Sequence, residues 1–180
     1  MRSILWDAES QQLRLINQLV LPAELRYLEI KTFAETLEAI QSMAVRGAPA
    51  IAVCGAFALF FAAREAETQD IAVLLETIRN AREELLRLRP TAVNLQTLTA
   101  QMLRHINSFD GSTDDLKAYL LEMALEAAER DVQTNLAIAR HGAELIHDGD
   151  ELLHHCNTGA LASVDYGTAL GVIRLAHEQG

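Results

Sequence analysis

Short apolar runs at the start of the chain predict a small antiparallel sheet. Residues 4–6 and 13–16 have the composition of strands, and residues 7–10 between them supply turn-forming side chains. This order predicts a β-hairpin. Residues 27–30, which follow Pro22, predict a third strand.

From Thr32 onward, apolar residues recur with the period of an amphipathic helix. Thr32 and Glu35 have the spacing of a capping box, in which two side chains satisfy free backbone N–H groups at the start of a helix. We expect this helix to run to about Val45, after which Gly47 breaks it. Pro49 suits the first turn of the next helix, where its missing N–H has no partner to lose. The further helices that we predict begin at Pro49, cover residues 70–89 and 95–106, and run from Thr113 to Ile146.

The last part of the chain predicts the opening of a βα unit. The pattern predicts a loop at residues 147–150, a short buried strand at residues 151–155 and a helix at residues 166–178. A parallel strand needs a neighbouring strand for its backbone hydrogen bonds, and none follows before Gly180. We therefore expect a fragment of a longer chain, in preference to a strand that pairs with another molecule.

Together these elements predict an α+β fold that passes into α/β. We expect an N-terminal helical domain with a small antiparallel sheet over residues 1–112 and a long connecting helix over residues 113–147. Residues 148–180 would be the first βα unit of a Rossmann-like, doubly wound domain, truncated at this point.

Composition and charge narrow the classes of function. The formal net charge of -10 over 180 residues repels a polyanion, so we expect no nucleic-acid partner. The longest nearly uncharged run, residues 49–63, is shorter than the roughly 20 residues of a membrane span, so we interpret it as a core helix and expect no membrane partner. Only two cysteines occur and no export signal precedes them, which favours the reduced cytoplasm.

Two arginines stand at predicted helix boundaries. Arg46 directly precedes Gly47, Ala48 and the predicted helix start, where free N–H groups and the positive helix end attract a phosphate. The alternative is a C-cap glycine followed by a first-turn proline, with Arg46 in solvent. The planar guanidinium group of Arg89 could bind a second anion oxygen pair through two N–H donors. The alternative interpretation is that Arg89 is a solvated surface charge.

Cys156 is the candidate reactive group. It follows the predicted strand and precedes Asn157, Thr158 and Gly159, which offer donors and a close backbone approach. The alternative is a small buried apolar residue, which is our interpretation of Cys54. A Cys/His hydrolase is the other alternative, and it is disfavoured because adjacent residues cannot supply the geometry that it needs. The histidines show no ligand spacing, so we predict no metal site.

These motifs together resemble the methylthioribose-1-phosphate isomerase family. The residues that carry the resemblance are 43–51 (MAVRGAPAI), 89–95 (RPTAVNL), 155–162 (HCNTGALA) and 166–171 (YGTALG). The resemblance covers about the first half of a family member. The family's catalytic aspartate and further sugar-phosphate ligands belong to the second half.

The resemblance implies roles for the residues above. Arg46, Gly47 and Ala48 would contact the substrate, Arg89 would hold its phosphate, and Cys156 would act at the reacting carbons. The implied reaction converts an aldose, 5-methylthioribose 1-phosphate, to a ketose, 5-methylthioribulose 1-phosphate, in methionine salvage. The anomeric phosphate prevents simple ring opening, so a thiol kept dry would donate a proton to the ring oxygen. Neither cofactor nor metal is implied, and the full-length protein would be a homodimer.

Some alternatives stay open within this resemblance. Ala52 stands where the family would have glycine. Related isomerases use 5-deoxyribose 1-phosphate or ribose 1,5-bisphosphate, and regulatory subunits of a translation-factor nucleotide exchanger share the fold. We expect the 180-residue chain to be inactive alone, because the acid-base partner is absent from it.

Overall fold

The structure is a computed structural model and describes residues 2–180. Its sheet contains three antiparallel strands in the order β1, β2, β3, with bounds Ile4–Asp7, Gln12–Ile16 and Tyr27–Ile30. Leu13 pairs with Trp6 on one side and Ile30 on the other. These side chains therefore lie on the same face of the sheet, which packs against the helices. On this face the Trp6 ring stacks on the ring of Phe57, with the ring centroids 5.7 Å apart. The hairpin and third strand are confirmed.

Within the described residues 2–180, six helices follow the sheet, and one short 3₁₀ turn lies between the last two. Thr32 and Glu35 form the predicted capping box at the first helix, while Asp70 and Ser112 cap the third and fifth with their side chains. The bounds are α1 Phe33–Gln41, α2 Ala48–Glu65, α3 Ile71–Leu88, α4 Val93–Ile106, α5 Thr113–Ala143 and α6 Ala169–Gln179, with the 3₁₀ turn at Ala160–Ala162.

Helix α2 is the centre of the core. Residues 50–63 are all buried, and α1, α3, α4 and α5 pack around the helix. Ala48–Glu65 is long and apolar enough to cross a membrane by length and composition, but 78% of it is buried inside the fold. This helix therefore has the environment of a core helix, as its composition predicts.

The predicted strand at residues 151–155 is wrong. The segment has no regular secondary structure, and the side chain of Leu153 is 99% exposed. No neighbouring strand is present within residues 2–180 to complete its backbone hydrogen bonds, and an extended segment is not stable by itself.

The bounds of the last two helices also differ from the prediction. Helix α5 ends at Ala143 instead of Ile146, and α6 begins at Ala169 instead of Tyr166. The later start of α6 has a local cause, because Tyr166 and Gly167 have φ angles of 70° and 88°, which a right-handed helix excludes. The predicted domain boundaries at residues 112 and 147 stay predictions.

Candidate active site

The first motif lies in the turn between α1 and α2. Helix α1 ends at Gln41, earlier than the predicted end near Val45, because its C-cap Ser42 is followed by Met43 with φ 63°. Gly47 is therefore not the C-cap of α1. Gly47 is instead the N-cap of α2, with φ 99°. No side chain caps α2, and its first turn contains no acidic residue. The positive end of the helix dipole is therefore not neutralised by the protein, and the exposed Arg46 precedes it.

Gly47 brings this motif against the segment that follows Cys156. A Cβ atom built at Gly47 would lie 2.4 Å from both the Cα atom and the carbonyl oxygen of Ala162. Ala162 ends the 3₁₀ turn at Ala160–Ala162, in the motif that begins at His155. Two motifs separated by more than a hundred residues thus touch through their backbones.

Gln18 forms a second connection between the same two motifs. Its Oε1 atom accepts a hydrogen bond from Nε of Arg46 at 3.1 Å. Its Nε2 atom donates to the carbonyl oxygen of Leu161 at 2.7 Å. Arg46 is therefore not a free surface charge, since one edge of its guanidinium group is fixed by a buried amide.

The residues after the 3₁₀ turn are held from two sides. Ser3 donates its backbone N–H to the carbonyl oxygen of Val164 at 2.8 Å and its hydroxyl to that of Ser163. From α5, the carboxylate of Asp131 accepts the N–H of Val164 at 2.7 Å and an amide hydrogen bond from Asn135 at 3.2 Å. Burial raises the pKa of Asp131, and the hydrogen bond from Val164 opposes that shift.

Cys156 itself is exposed and has φ 82°, a conformation that costs energy for a residue with a side chain. The dry environment that the resemblance implies for this thiol is not formed by residues 2–180. No hydrogen bond or ion pair joins Cys156 to a histidine within the same range, and His154 instead lies with Nδ1 3.5 Å from Oγ1 of Thr158. Cys54 is fully buried, and desolvation raises the pKa of its thiol strongly, as expected for a structural cysteine.

A tight backbone turn connects the Cys156 loop to α6. The carbonyl oxygen of Thr158 accepts the N–H of Thr168 at 2.8 Å, and its hydroxyl accepts the N–H of Leu170 at 3.1 Å. A Cβ atom at Gly167 would lie 2.4 Å from the Thr158 carbonyl oxygen. The loop is therefore anchored at Thr158, two residues after the thiol.

Arg89 lies at the other predicted helix boundary. It is the C-cap residue of α3 and is partly buried. The turn after it is closed by a hydrogen bond from Nε2 of Gln96 to the carbonyl oxygen of Pro90, at 2.6 Å. Helix α4 then begins with no capping side chain and no acid in its first turn. Within residues 2–180, no hydrogen bond or ion pair joins the Arg89 side chain to Arg46 or Cys156.

A groove of about 340 Å³ lies between α2, α4 and α5. Pro49 and Asn94, from the first turns of α2 and α4, both line it, and Asp131 lines it from α5. Neither Arg46 nor Arg89 lines the groove. The helix starts that follow Arg46 and Arg89 therefore border one concave surface, although the arginine side chains do not.

Ser3, Gln18, Asp131 and Asn135 were not predicted as site residues. Each is a polar residue that is buried or partly buried, and each bonds to a partner far away in the sequence. A polar residue next to apolar neighbours was the only available signal, and it does not identify a partner. Within the described part of the chain, no three histidine, cysteine or carboxylate side chains could hold a metal ion together.

Comparison with proteins of known structure shows the same fold. Methylthioribose-1-phosphate isomerase from Pyrococcus horikoshii OT3 has a TM-score of 0.90 and 33% identity, over 99% of this chain and 50% of that one. A protein described as translation initiation factor eIF-2B, subunit delta, from A. fulgidus has a TM-score of 0.83 and 42% identity, over 100% and 52%.

Sequence comparison confirms the resemblance that the motifs indicate. The methylthioribose-1-phosphate isomerase of Thermosipho melanesiensis is 42% identical over 180 residues, which is 100% of this chain and 52% of that protein. That of Thermotoga neapolitana is 47% identical over 175 residues, 97% of this chain and 49% of that protein. The chain spans about half the length of these relatives. Because the sequence pattern of the Initiation factor 2 subunit family matches residues 44–180, the chain belongs to that family.

Proposed function

We propose that this chain supplies the phosphate-binding motifs and the thiol of an aldose-ketose isomerase. The substrate is 5-methylthioribose 1-phosphate, the product is 5-methylthioribulose 1-phosphate, and the reaction serves methionine salvage without a cofactor. The observation that carries the proposal is the contact between Gly47 and Ala162, which joins the arginine motif (residues 43–51) to the cysteine motif (residues 155–162). Relatives named for this activity match the whole chain, which supports the same conclusion.

The start of α2 is the proposed anion site. Helix α2 begins at Ala48, its N-cap is Gly47, and Arg46 directly precedes the N-cap. No side chain caps this helix start, and its first turn contains no acidic residue. Helix α4, which follows Arg89, has the same two properties. By contrast, α1, α3 and α5 each begin with a capping side chain. The two helix starts beside the candidate arginines thus keep positive dipole ends that no acidic side chain in the first turn neutralises, which suits binding of a sugar phosphate.

Cys156 is the proposed catalytic group. With phosphate on the anomeric carbon, ring opening requires a proton on the ring oxygen, and a protonated thiol can donate it. The positive φ of Cys156 supports a functional role, because strained backbone concentrates at functional sites. In the proposed full-length enzyme, further polypeptide covers the thiol and brings an acid-base partner, so the 180-residue chain has no turnover by itself.

The complete enzyme is proposed to contain a Rossmann-like domain. Leu152 and Leu153 are exposed apolar residues before the loop that leads to α6, and further polypeptide of such a domain would cover them. The net charge of -10 suits a small-molecule partner over nucleic acid. The two unpaired cysteines suit a cytoplasmic location. The burial of α2 argues against a membrane partner, and the full-length enzyme is proposed as a homodimer.

A binding and assembly role is the second candidate. It is favoured by the likeness to the structure described as translation initiation factor eIF-2B, subunit delta, at 42% identity over the whole chain. An assembly subunit needs neither a cysteine with a strained backbone nor an arginine that a buried amide holds in place. That combination therefore favours the isomerase.

Titration with 5-methylthioribose 1-phosphate, followed by NMR, tests the proposed anion site. We expect saturable binding, and we expect Arg46→Ala and Arg89→Ala to weaken it roughly ten- to hundredfold, since a hydrogen bond to a charged group is worth about 1.5–3 kcal/mol. Arg104→Ala is the control, because Arg104 is an exposed arginine of α4 outside the motifs. Equal affinity in all three variants would refute the anion site, and tight association with a larger protein complex without sugar binding would favour the assembly role.

The catalytic proposal needs a protein that spans the full length of the relatives. There, Cys156→Ser should reduce kcat far more than it raises KM, because the thiol acts on the reacting atoms and not on the phosphate. An unchanged kcat would refute the assigned role. Conversion of 5-deoxyribose 1-phosphate or ribose 1,5-bisphosphate in preference to the methylthio sugar would reassign the substrate within the same chemistry.

A further inference from the structure

Gln18 lies where the two candidate motifs meet, although it belongs to neither. It comes from the loop between β2 and β3 and is 5% exposed. Its backbone N–H donates to the carbonyl oxygen of Ala44 at 2.9 Å, which fixes the loop two residues before Arg46. Gln18 also lies outside residues 44–180, the region that matches the family pattern. The amide is therefore held by the fold itself, in place before any ligand binds.

The two ends of the Gln18 amide have different partners. Oε1 accepts from Nε of Arg46, and Nε2 donates to the carbonyl oxygen of Leu161. Since an arginine nitrogen only donates and a carbonyl oxygen only accepts, these two bonds fix which way the amide points. A carboxylate of the same size could bind Arg46, but it would face the Leu161 carbonyl with a second acceptor.

This arrangement controls what Arg46 can offer to a ligand. A bond at Nε fixes the plane of the guanidinium group and leaves the N–H groups on Nη1 and Nη2, which form a fork that matches phosphate oxygens. Within residues 2–180, no carboxylate forms an ion pair with that fork. The protein thus orients these N–H groups without pairing them with a carboxylate.

We propose that Gln18 is a positioning residue, which orients Arg46 for the substrate phosphate and sets its place relative to the Cys156 loop. This inference rests on the proposed sugar-phosphate function. Gln18 contacts Arg46 and Leu161, and it acts on the substrate only through them. Preorganisation of this kind favours binding because less side-chain freedom is lost when the ligand arrives.

The hydrogen bond is tested first without any ligand. Hydrogen exchange of the arginine Nε–H groups is measured by NMR on the 180-residue protein, with the Arg46 signal assigned through Arg46→Lys. We expect slow exchange for Arg46 in the wild type and in Gln18→Glu, and fast exchange in Gln18→Met, which has similar volume but no amide. Gln133→Met is the control, because Gln133 is an exposed residue of α5. Fast exchange in the wild type would overturn the proposal.

A double-mutant cycle then separates a positioning role from a structural one. With 5-methylthioribose 1-phosphate as the probe, we expect Gln18→Met to weaken binding about tenfold when Arg46 is present, and to have no effect in an Arg46→Ala background. An equal loss in both backgrounds would show a general structural effect and would overturn the positioning role alone. Absence of binding by the wild-type protein would overturn the proposed function and this inference together.

Discussion

Gly47 has no space for a side chain because Ala162 lies against it, with a built Cβ atom only 2.4 Å from the Ala162 backbone. The same glycine has φ 99°, so two independent constraints act at one position. The approach of the arginine motif to the cysteine motif therefore depends on a hydrogen atom in place of a methyl group.

Gly47→Ala should separate these motifs and destabilise the fold. Gly149→Ala is the matched control, since Gly149 has φ 87° but nothing within 4 Å of its built Cβ atom. We expect the control to lose about 1–2 kcal/mol from the left-handed backbone alone, and Gly47→Ala to lose clearly more, because backbone atoms must also move. Urea unfolding of both variants measures the difference, and equal losses would show that the Ala162 contact is relaxed without cost.

The two cysteines should differ sharply in reactivity. Cys156 is exposed and Cys54 is fully buried. In the native protein, a thiol reagent such as iodoacetamide should modify one equivalent, at Cys156, and reach Cys54 only after unfolding. Peptide mass mapping identifies the modified site. Cys156→Ser should leave the free energy of unfolding nearly unchanged, while Cys54→Ser should lower it by about 1–3 kcal/mol, because a hydroxyl would be buried without a partner. Early modification of Cys54 would contradict the burial of α2.

Asp131 should make stability depend on pH in a defined direction. Burial raises its pKa in the folded protein, so its contribution to stability is fully present below the unfolded-state value of 3.8 and is lost as the pH rises through the folded-state value. Asp131→Asn keeps an acceptor for the Val164 N–H and removes the ionisable group. The wild type should therefore lose stability relative to this variant as the pH rises from about 4 toward neutrality.

Asp131→Ala separates charge from hydrogen bonding at the same position. It leaves the N–H of the fully buried Val164 without its acceptor, and we expect a loss of about 1–3 kcal/mol at every pH. Urea unfolding at several pH values compares all three proteins. A wild type that gains stability relative to Asp131→Asn with rising pH would contradict the direction of the pKa shift.

Gly55 controls the approach of α2 to α4. A Cβ atom there would lie 2.1 Å from Cδ1 of the fully buried Leu95. Gly55→Ala should destabilise the protein by about 1–3 kcal/mol through overpacking, despite the higher helix propensity of alanine. Leu95→Val on the same background should restore part of the loss, as measured by thermal unfolding. Strict additivity of the two substitutions would show that the contact carries no energy.

Structural features that depend only on residues close together in the sequence were predicted correctly. The capping box of Thr32 and Glu35 needs only a spacing of three residues and a following helix, and it is present. The buried helix α2 followed from a long run of small and apolar side chains. The strand at residues 151–155 failed because a strand depends on a neighbour that the local pattern cannot supply.

The contacts that build the candidate site lie beyond such local rules. Gln18 and Leu161 are 143 residues apart, and Asp131 and Val164 are 33 apart. Neither pair has a spacing that marks it, because tertiary packing decides which buried polar groups meet. Arg46, Arg89 and Cys156 were identified from helix boundaries and a loop signal, and the resemblance to a known family gave them roles that stay predictions.

The central position of α2 has a consequence for synthesis of the protein on the ribosome. About 50 residues separate the end of α2 from the buried part of α5, and at roughly 5–20 residues per second their translation takes on the order of 3 to 10 s. During that interval one side of an almost wholly apolar helix has no covering layer. We therefore expect the nascent chain to bind a chaperone that shields apolar segments. Slower elongation after residue 65 should raise the fraction of the product that aggregates.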